Sequence, residues 1–184
     1  MDLTGKFLIA MPGMGDPRFE KSLILLCAHS SSGAMGLIVN KPLPEPSFAD
    51  LLGQLEIDVA DTCPKVPVHF GGPVESSRGF VLHNPGYATE DGTLKIDGSF
   101  SMTATLQVLE DLAHGRGPER ALLALGYAGW GPGQIEAEIL QNGWLSCEAS
   151  PEILFAADNT TKWERALKTL GVDALTLSAT AGRA

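Results

Sequence analysis

The strongest constraint on this chain is that its apolar residues come in short runs, each closed within a few positions by Gly, Pro, Ser or Asn. Runs of four to eight residues rich in branched and aromatic side chains are strand-sized and too short for most helices. They predict strands at Phe7–Ala10, Leu23–His29, Met35–Val39, Val66–Phe70, Gly79–His83, Leu94–Ile96, Leu122–Tyr127 and Trp144–Glu148. Several of these, such as "LILLCA", are apolar on both sides instead of alternating. Strands read this way when the sheet is covered on both faces, so helices are expected on either side of it.

The helices are expected at Phe48–Leu55, Leu106–His114, Pro132–Asn142 and Thr161–Leu170. Ser47 followed by Asp50 resembles a capping box, and Thr105 stands where it can cap the second helix. Gly115, Gly143 and Gly171 follow three of these helices, where the left-handed closing residue belongs. Trp163, Ala166, Leu167 and Leu170 recur at three and four residues and mark a core-facing stripe. Strands come first and are then mixed with helices, so a strictly alternating parallel fold is excluded. The expectation is an α/β (α+β) protein with a compact mixed β-sheet flanked by helices on both faces. Loops 40–47 and 84–93 do not divide compositionally different halves, so residues 1–184 are read as one compact domain with room for a small subdomain.

Charge narrows the function classes. Asp and Glu total 22 against 13 Lys and Arg, a net charge of −9. Nucleic-acid affinity rests on Lys and Arg neutralising phosphates, so direct nucleic-acid binding is not expected. No apolar run approaches the roughly 18 residues that cross a bilayer, and the first residues carry no convincing signal-peptide cleavage site. The reading is cytoplasmic, without a membrane role. Cys27, Cys63 and Cys147 show no CxxC spacing and are expected as buried free thiols, not a disulfide framework or zinc site.

Motifs that carry chemistry are few. "GDPRFEKS" from Gly15 to Ser22 falls short of a P-loop, because Glu20 stands where backbone must approach phosphate and a strand follows where a helix is needed. Its simpler reading is a turn capped by Asp16 and begun by Pro17. His29, His69 and His83 close or occupy predicted strands, yet their spacing has no metal-ligand signature, and no metal or cofactor is expected. No GxSxG elbow is present. Glu136 and Glu138 point to different faces of their helix and do not form a paired acid and base. In "GYAGWGPGQIEAEI" Gly131 is expected as N-cap and Pro132 as first helical residue, with Gln134 folding its side chain back on the free amides. With no Lys or Arg between Arg120 and Lys162, that corner is read as structural and not as an anion site.

The stretches "GKFLIAMPGMGDPRFEKSLILLCAHSSSGAMGLIVNKP", "HFGGPVESSRGFVLH", "LGYAGWGPGQIEAEILQNGWL" and "WERALKTLGVDALTLSATAGRA" together resemble the bacterial AlgH/YqgE family from about Gly5 to Ala184. The matching positions are Pro12, Phe19, His29, Gly36, Asn40, Pro42, Gly71, Gly72, Pro73, His83, Gly126, Trp130, Gly131, Gln134, Glu138 and Trp144. The resemblance implies a compact cytoplasmic α/β protein, and the family name carries a role in transcriptional regulation, with no catalytic residues to transfer. It also implies an aromatic residue where this chain has His69.

Turns explain Gly71, Gly72, Pro73, Gly126, Gly131 and Gly133. His29, Asn40, His83, Gln134 and Glu138 are less easily explained that way and are the candidate binding residues. The first expectation is a non-enzymatic binding or regulatory protein acting through a protein partner or small ligand. The alternative is a hydrolase- or transferase-like enzyme using His83 with Asn40 and Gln134. A DNA-binding regulator is the third reading, without a helix-turn-helix signal to support it.

Overall fold

Alternation along the strands decides the layering. In β1 (Lys6–Ala10) Phe7 and Ile9 enter one cluster of buried residues while Leu8 and Ala10 enter another. In β2 (Leu23–Ser30) Leu23, Leu25 and Cys27 join the first cluster, and Ile24 and Leu26 the second. Both faces are therefore buried, as the continuous apolar runs require. A computed structural model describes residues 1–175 and residue 177; the rest of the terminal motif "LTLSATAGRA" lies outside the described residues.

The remaining elements are β3 (Gly33–Ile38), α1 (Phe48–Gln54), β4 (Val68–Phe70), β5 (Val74–His83), β6 (Thr93–Lys95), β7 (Ser101–Thr103), α2 (Leu106–Ala113), β8 (Ala121–Trp130), α3 (Gln134–Leu140), β9 (Trp144–Glu148), α4 (Pro151–Leu154) and α5 (Lys162–Thr169). The strands form one nine-stranded sheet in the order β6-β7-β5-β8-β3-β2-β1-β9, with β4 also paired to β8. Among the described residues only the β4–β8 pair is parallel, so the sheet is mixed. Buried residues of α4 and α5 pack in the first cluster, Ile135 of α3 in the second, and Phe48 of α1 with Leu112 of α2 in a third.

β8 is the shared strand, and Gly126 divides it. Leu122 and Ala124 belong to the first cluster and Leu123 to the third. Beyond Gly126, Ala128 and Trp130 keep the same parity as Leu122 but lie in the second cluster, on the opposite face. Gly126 has φ +76°, a left-handed conformation that breaks the two-residue alternation. Opposite it, the pairing with β5 is interrupted between Val74 and Gly79. One bulge thus lets a single strand face different layers at its two ends.

Several boundaries differ from the sequence reading. α3 begins at Gln134, not Pro132, because Gly133 takes φ +72° and precedes the first helical residue. Asn142, at φ +60°, takes the left-handed position expected of Gly143; the Gly143 amide then donates to the Glu138 carbonyl. Thr105 is the N-cap of α2 but makes no capping bond. The Ser47–Asp50 capping box is complete. On α5 the buried stripe runs through Lys162, Trp163, Ala166 and Leu167, leaving Leu170 42% exposed. β5 starts five residues earlier than expected, since its first residues are exposed and mostly polar.

Candidate functional site

The residues singled out in the sequence do not assemble into one site. His83, fully buried, donates from Nδ1 to the Asn84 carbonyl at 2.9 Å and accepts the Thr103 hydroxyl at Nε2 at 2.8 Å. Burial holds its proton affinity below the ordinary histidine range, partly offset by the Asn84 bond. Asn40 accepts the Leu23 amide at 2.9 Å and donates to the Lys21 carbonyl at 2.8 Å, clamping the entry to β2. Gln134 accepts the Gly131 amide at 2.9 Å. Glu138 accepts the indole N–H of Trp144 at 3.1 Å. His83 pairs with Ala121 at the start of β8, whereas Gln134 follows its end at Trp130. About nine strand steps, roughly 30 Å, separate those two ends. The proposed His83, Asn40 and Gln134 constellation is therefore absent: each side chain serves its own local bond.

The three histidines also stay apart. His29 accepts the Leu3 amide at 3.0 Å and donates to Glu136 at 2.5 Å, and His69 is paired with Asn159. Among the described residues no three His, Cys, Asp or Glu side chains are grouped to hold a metal ion. Cys27 and Cys147 are buried thiols, Cys27 pushed up to about 12 by burial, while Cys63 is only half-buried. Gly126 lies inside β8 and not in a turn, whereas Gly71 and Gly72 lie in the link between β4 and β5. A Cβ on Gly72 would overlap the Tyr127 backbone, and one on Gly126 would overlap the Gly72 carbonyl. Gly131 and Gly133 do form the corner into α3, and Pro73 leads into β5.

Convergence occurs elsewhere. A cavity of about 690 Å³ opens between the segment before β4, the start of β8, α4 and the first residue of α5. Its walls include Val66, Leu122, Leu154 and Phe155, and His69, Asn159 and Lys162 also line it. Val68 of β4 faces the third cluster, so its neighbour His69 points to the other side of the sheet, paired in register with Ala124. The ring is 1% exposed, and its Nε2–H donates to Asn159 Oδ1 at 2.8 Å. Among the described residues Nδ1 makes no hydrogen bond of good geometry. Asn159 opens a 3-10 turn capped by the Asp158 side chain and leading directly into α5. Lys162, three residues on and 1% exposed, donates from Nζ to the Val39 and Leu154 carbonyls, each at 2.8 Å.

The electrostatics follow from burial. His69 is lowered to about 4, chiefly by burial; the Asn159 bond opposes this, the Lys162 ammonium adds a smaller lowering, and the Pro67 carbonyl a smaller rise. At neutral pH the ring is uncharged. The Pro67 carbonyl favours the protonated ring, as an acceptor of a ring N–H does. Lys162 is lowered to about 8, by burial and then by Arg165. Lys65, Arg120 and Lys162 outnumber Glu119 and Glu152 along the lining, in a chain of net charge −9.

The sequence profile described as AlgH-like matches residues 7–175. The chain belongs to the AlgH-like family. Family relatives include a UPF0301 protein of Ruegeria pomeroyi, 60% identical over the full length of both chains. Another, from Cereibacter sphaeroides, is 55% identical, again over all of both chains. The solution structure of the AlgH protein from Pseudomonas aeruginosa superposes with a TM-score of 0.81 at 41% identity, covering 97% of this chain and 94% of that one. A crystal structure of a Corynebacterium diphtheriae protein shares the fold at 20% identity, with a TM-score of 0.74 over 92% and 87%. The family and its mixed, helix-flanked sheet are thus those expected from the sequence.

Two signals of the cavity were present in the sequence. Lys162 lies one turn before Ala166, in phase with the apolar stripe of α5, where a lysine must be buried or bent aside. His69 stands inside an apolar run where the family resemblance implies an aromatic. Asn159 gave no signal, since an Asn in a turn is ordinary.

Proposed function

We propose that this AlgH-like protein is a non-enzymatic, cytoplasmic small-ligand-binding protein whose site is the cavity lined by His69, Asn159 and Lys162. One observation carries the reading: apolar walls from β8 and α4 and the polar groups of His69, Asn159 and Lys162 converge on one cavity of about 690 Å³. A concave, mostly apolar site of that size with a few polar groups is the usual form of a small-molecule site. The same geometry favours binding over catalysis. A histidine near 4 is a weak general base at neutral pH, where efficient proton transfer wants a pKa close to the ambient value. The described lining residues include no Ser, Thr or Cys nucleophile. Regulation, as the family name suggests, would act through ligand occupancy and not through direct DNA contact, given the net charge of −9.

The test is a small-fragment screen on the isotopically labelled full chain, read by amide shifts. Hits are expected to perturb His69, Ala121, Phe155 and Asn159, and Ala156→Trp, which fills the cavity from its lining, is expected to abolish them. Fragments that bind elsewhere, or no fragment binding at all, would refute the assignment.

A further inference from the structure

We propose that His29 is a proton-operated latch on residues 1–4: the neutral ring holds Leu3 in place, and protonation at Nδ1 pairs the ring with Asp2 instead and releases Leu3. The partners fix the tautomer. A backbone amide can only donate, so the Leu3 amide, 3.0 Å from Nδ1, requires the ring lone pair to be there. The proton of the neutral ring is then on Nε2, which donates to the Glu136 carboxylate at 2.5 Å. The His29 side chain is 3% exposed, so water does not replace either contact. A further proton taken from solvent has only Nδ1 to bind, and there it sets an N–H against the Leu3 N–H. Two donors cannot share a hydrogen bond, so the attachment of Leu3 is lost.

An acceptor for the new N–H stands close by. Asp2 Oδ1 is 4.0 Å from Nδ1, on an exposed side chain that also accepts the Thr4 amide at 2.9 Å. A movement of about 1 Å brings it into hydrogen-bond range. Protonation therefore exchanges a neutral bond for a charge-assisted one and leaves the imidazolium between Asp2 and Glu136. Among the described residues the other charge acting here is the Met1 amine, which is felt by both carboxylates. Glu138 of α3 is turned to the Trp144 indole, and β3, paired with β2 through Ala34 and His29, has no charged residue. Leu3 is what the latch controls, being 3% exposed and packed in the cluster that holds Leu8 and Ile135. Its carbonyl also accepts the Lys6 amide at 3.0 Å, so that bond loosens with it. Gly5, whose amide donates to the Leu26 carbonyl at 2.8 Å, bounds the released segment. Histidine is the side-chain type whose charge changes between about pH 5 and 8, the window in which the latch is to be read.

Magnetic resonance of the isotopically labelled full chain between about pH 8 and 5 tests the latch. At the upper end the His29 ring is expected to carry its proton on Nε2 and none on Nδ1. On acidification the Leu3 amide shift is expected to follow the His29 ring with the same midpoint, and the exchange protection of Leu3 to fall at least tenfold relative to that of Gly5. His29→Asn offers Leu3 an acceptor near the same place but takes up no proton, and is expected to make that ratio independent of pH. Asp2→Asn removes the carboxylate that receives the new N–H, and is expected to move the midpoint to lower pH. A ring that titrates while the ratio stays constant overturns the latch, as does a ring with no charge change across the range or a Leu3 response that tracks His69. An unmoved midpoint in Asp2→Asn overturns the transfer to Asp2 and with it the proposal. The parent titration decides the matter even if His29→Asn does not fold.

Discussion

The backbone amide of Leu3 donates to Nδ1 of His29 at 3.0 Å, fastening the first residues of the chain to the end of β2. Leu3 is 3% exposed and packs in the second cluster, so this bond holds an apolar anchor as well as a strap. His29→Ala removes the acceptor of that amide and the donor to Glu136. The expected loss is about 1–3 kcal/mol, the usual consequence of orphaning a buried polar group. For a chain of this length each kcal/mol lowers Tm by roughly 2–4 °C. Hydrogen exchange at Leu3 should accelerate more than exchange in β8, and unchanged exchange at Leu3 would contradict the anchor.

Glycine substitutions should rank by two separate costs. Gly126 combines φ +76° with a Cβ that would overlap the Gly72 carbonyl. Gly133 has φ +72° but open space around it, and Gly131 has neither difficulty. Gly131→Ala is therefore expected to be within about 0.5 kcal/mol of the parent. Gly133→Ala should cost about 1–2 kcal/mol for the left-handed backbone alone. Gly126→Ala should cost most and should also shift resonances on both faces of β8. Urea melts of the three variants give the order; Gly131→Ala proving worst would overturn it.

Stability should depend on pH in two windows. His69 is ordinarily near 6.5 and is lowered to about 4 in the fold. Between those values the unfolded chain binds more protons than the native one, so stability falls as pH drops from about 6.5 and the loss is complete below about 4. The shift corresponds to at most about 3 kcal/mol. Lys162, lowered from 10.5 to about 8, has the same sign in its own window, so its unfavourable contribution is relieved as pH rises from about 8 to 10.5. Denaturant melts across pH 4.5–7.5 should show a shallower slope for His69→Gln than for the parent. Parallel slopes would show that the ring is not titrating as described.

Duplex DNA should bind weakly if at all. With 22 acidic against 13 basic residues, anisotropy titrations near physiological salt are expected to give no Kd tighter than the non-specific range of about 10⁻⁴ to 10⁻⁶ M. Sequence-specific binding below about 10⁻⁸ M would point to a DNA-binding regulator instead.

Most of the sheet was legible because burial on two faces leaves unmistakable apolar runs, as in β2 and β8. β7 was not, since Ser101 and Thr103 flank a single Met102, and both polar residues are buried against β5. The first half of β5 was hidden for the opposite reason: Glu75, Ser76, Ser77 and Arg78 are exposed strand residues with no apolar partner face. The site was less readable than the fold. Glycines, His83 and Asn40 stood out by residue type, yet their partners turned out to be neighbouring backbone and hydroxyl groups. His69 and Lys162 come from segments 93 residues apart in sequence, and no local spacing announces that β4 meets the turn leading into α5.

The placement of β1 between β2 and β9 bears on how the protein is made. Phe7 pairs with Leu25 on one side and with Cys147 on the other, so the second edge of β1 stays open until most of the chain has been synthesised. At about 5–20 residues per second, β9 is made on the order of ten to thirty seconds after β1. Throughout that interval a nascent chain carries an uncovered apolar edge of the kind that recruits other strands.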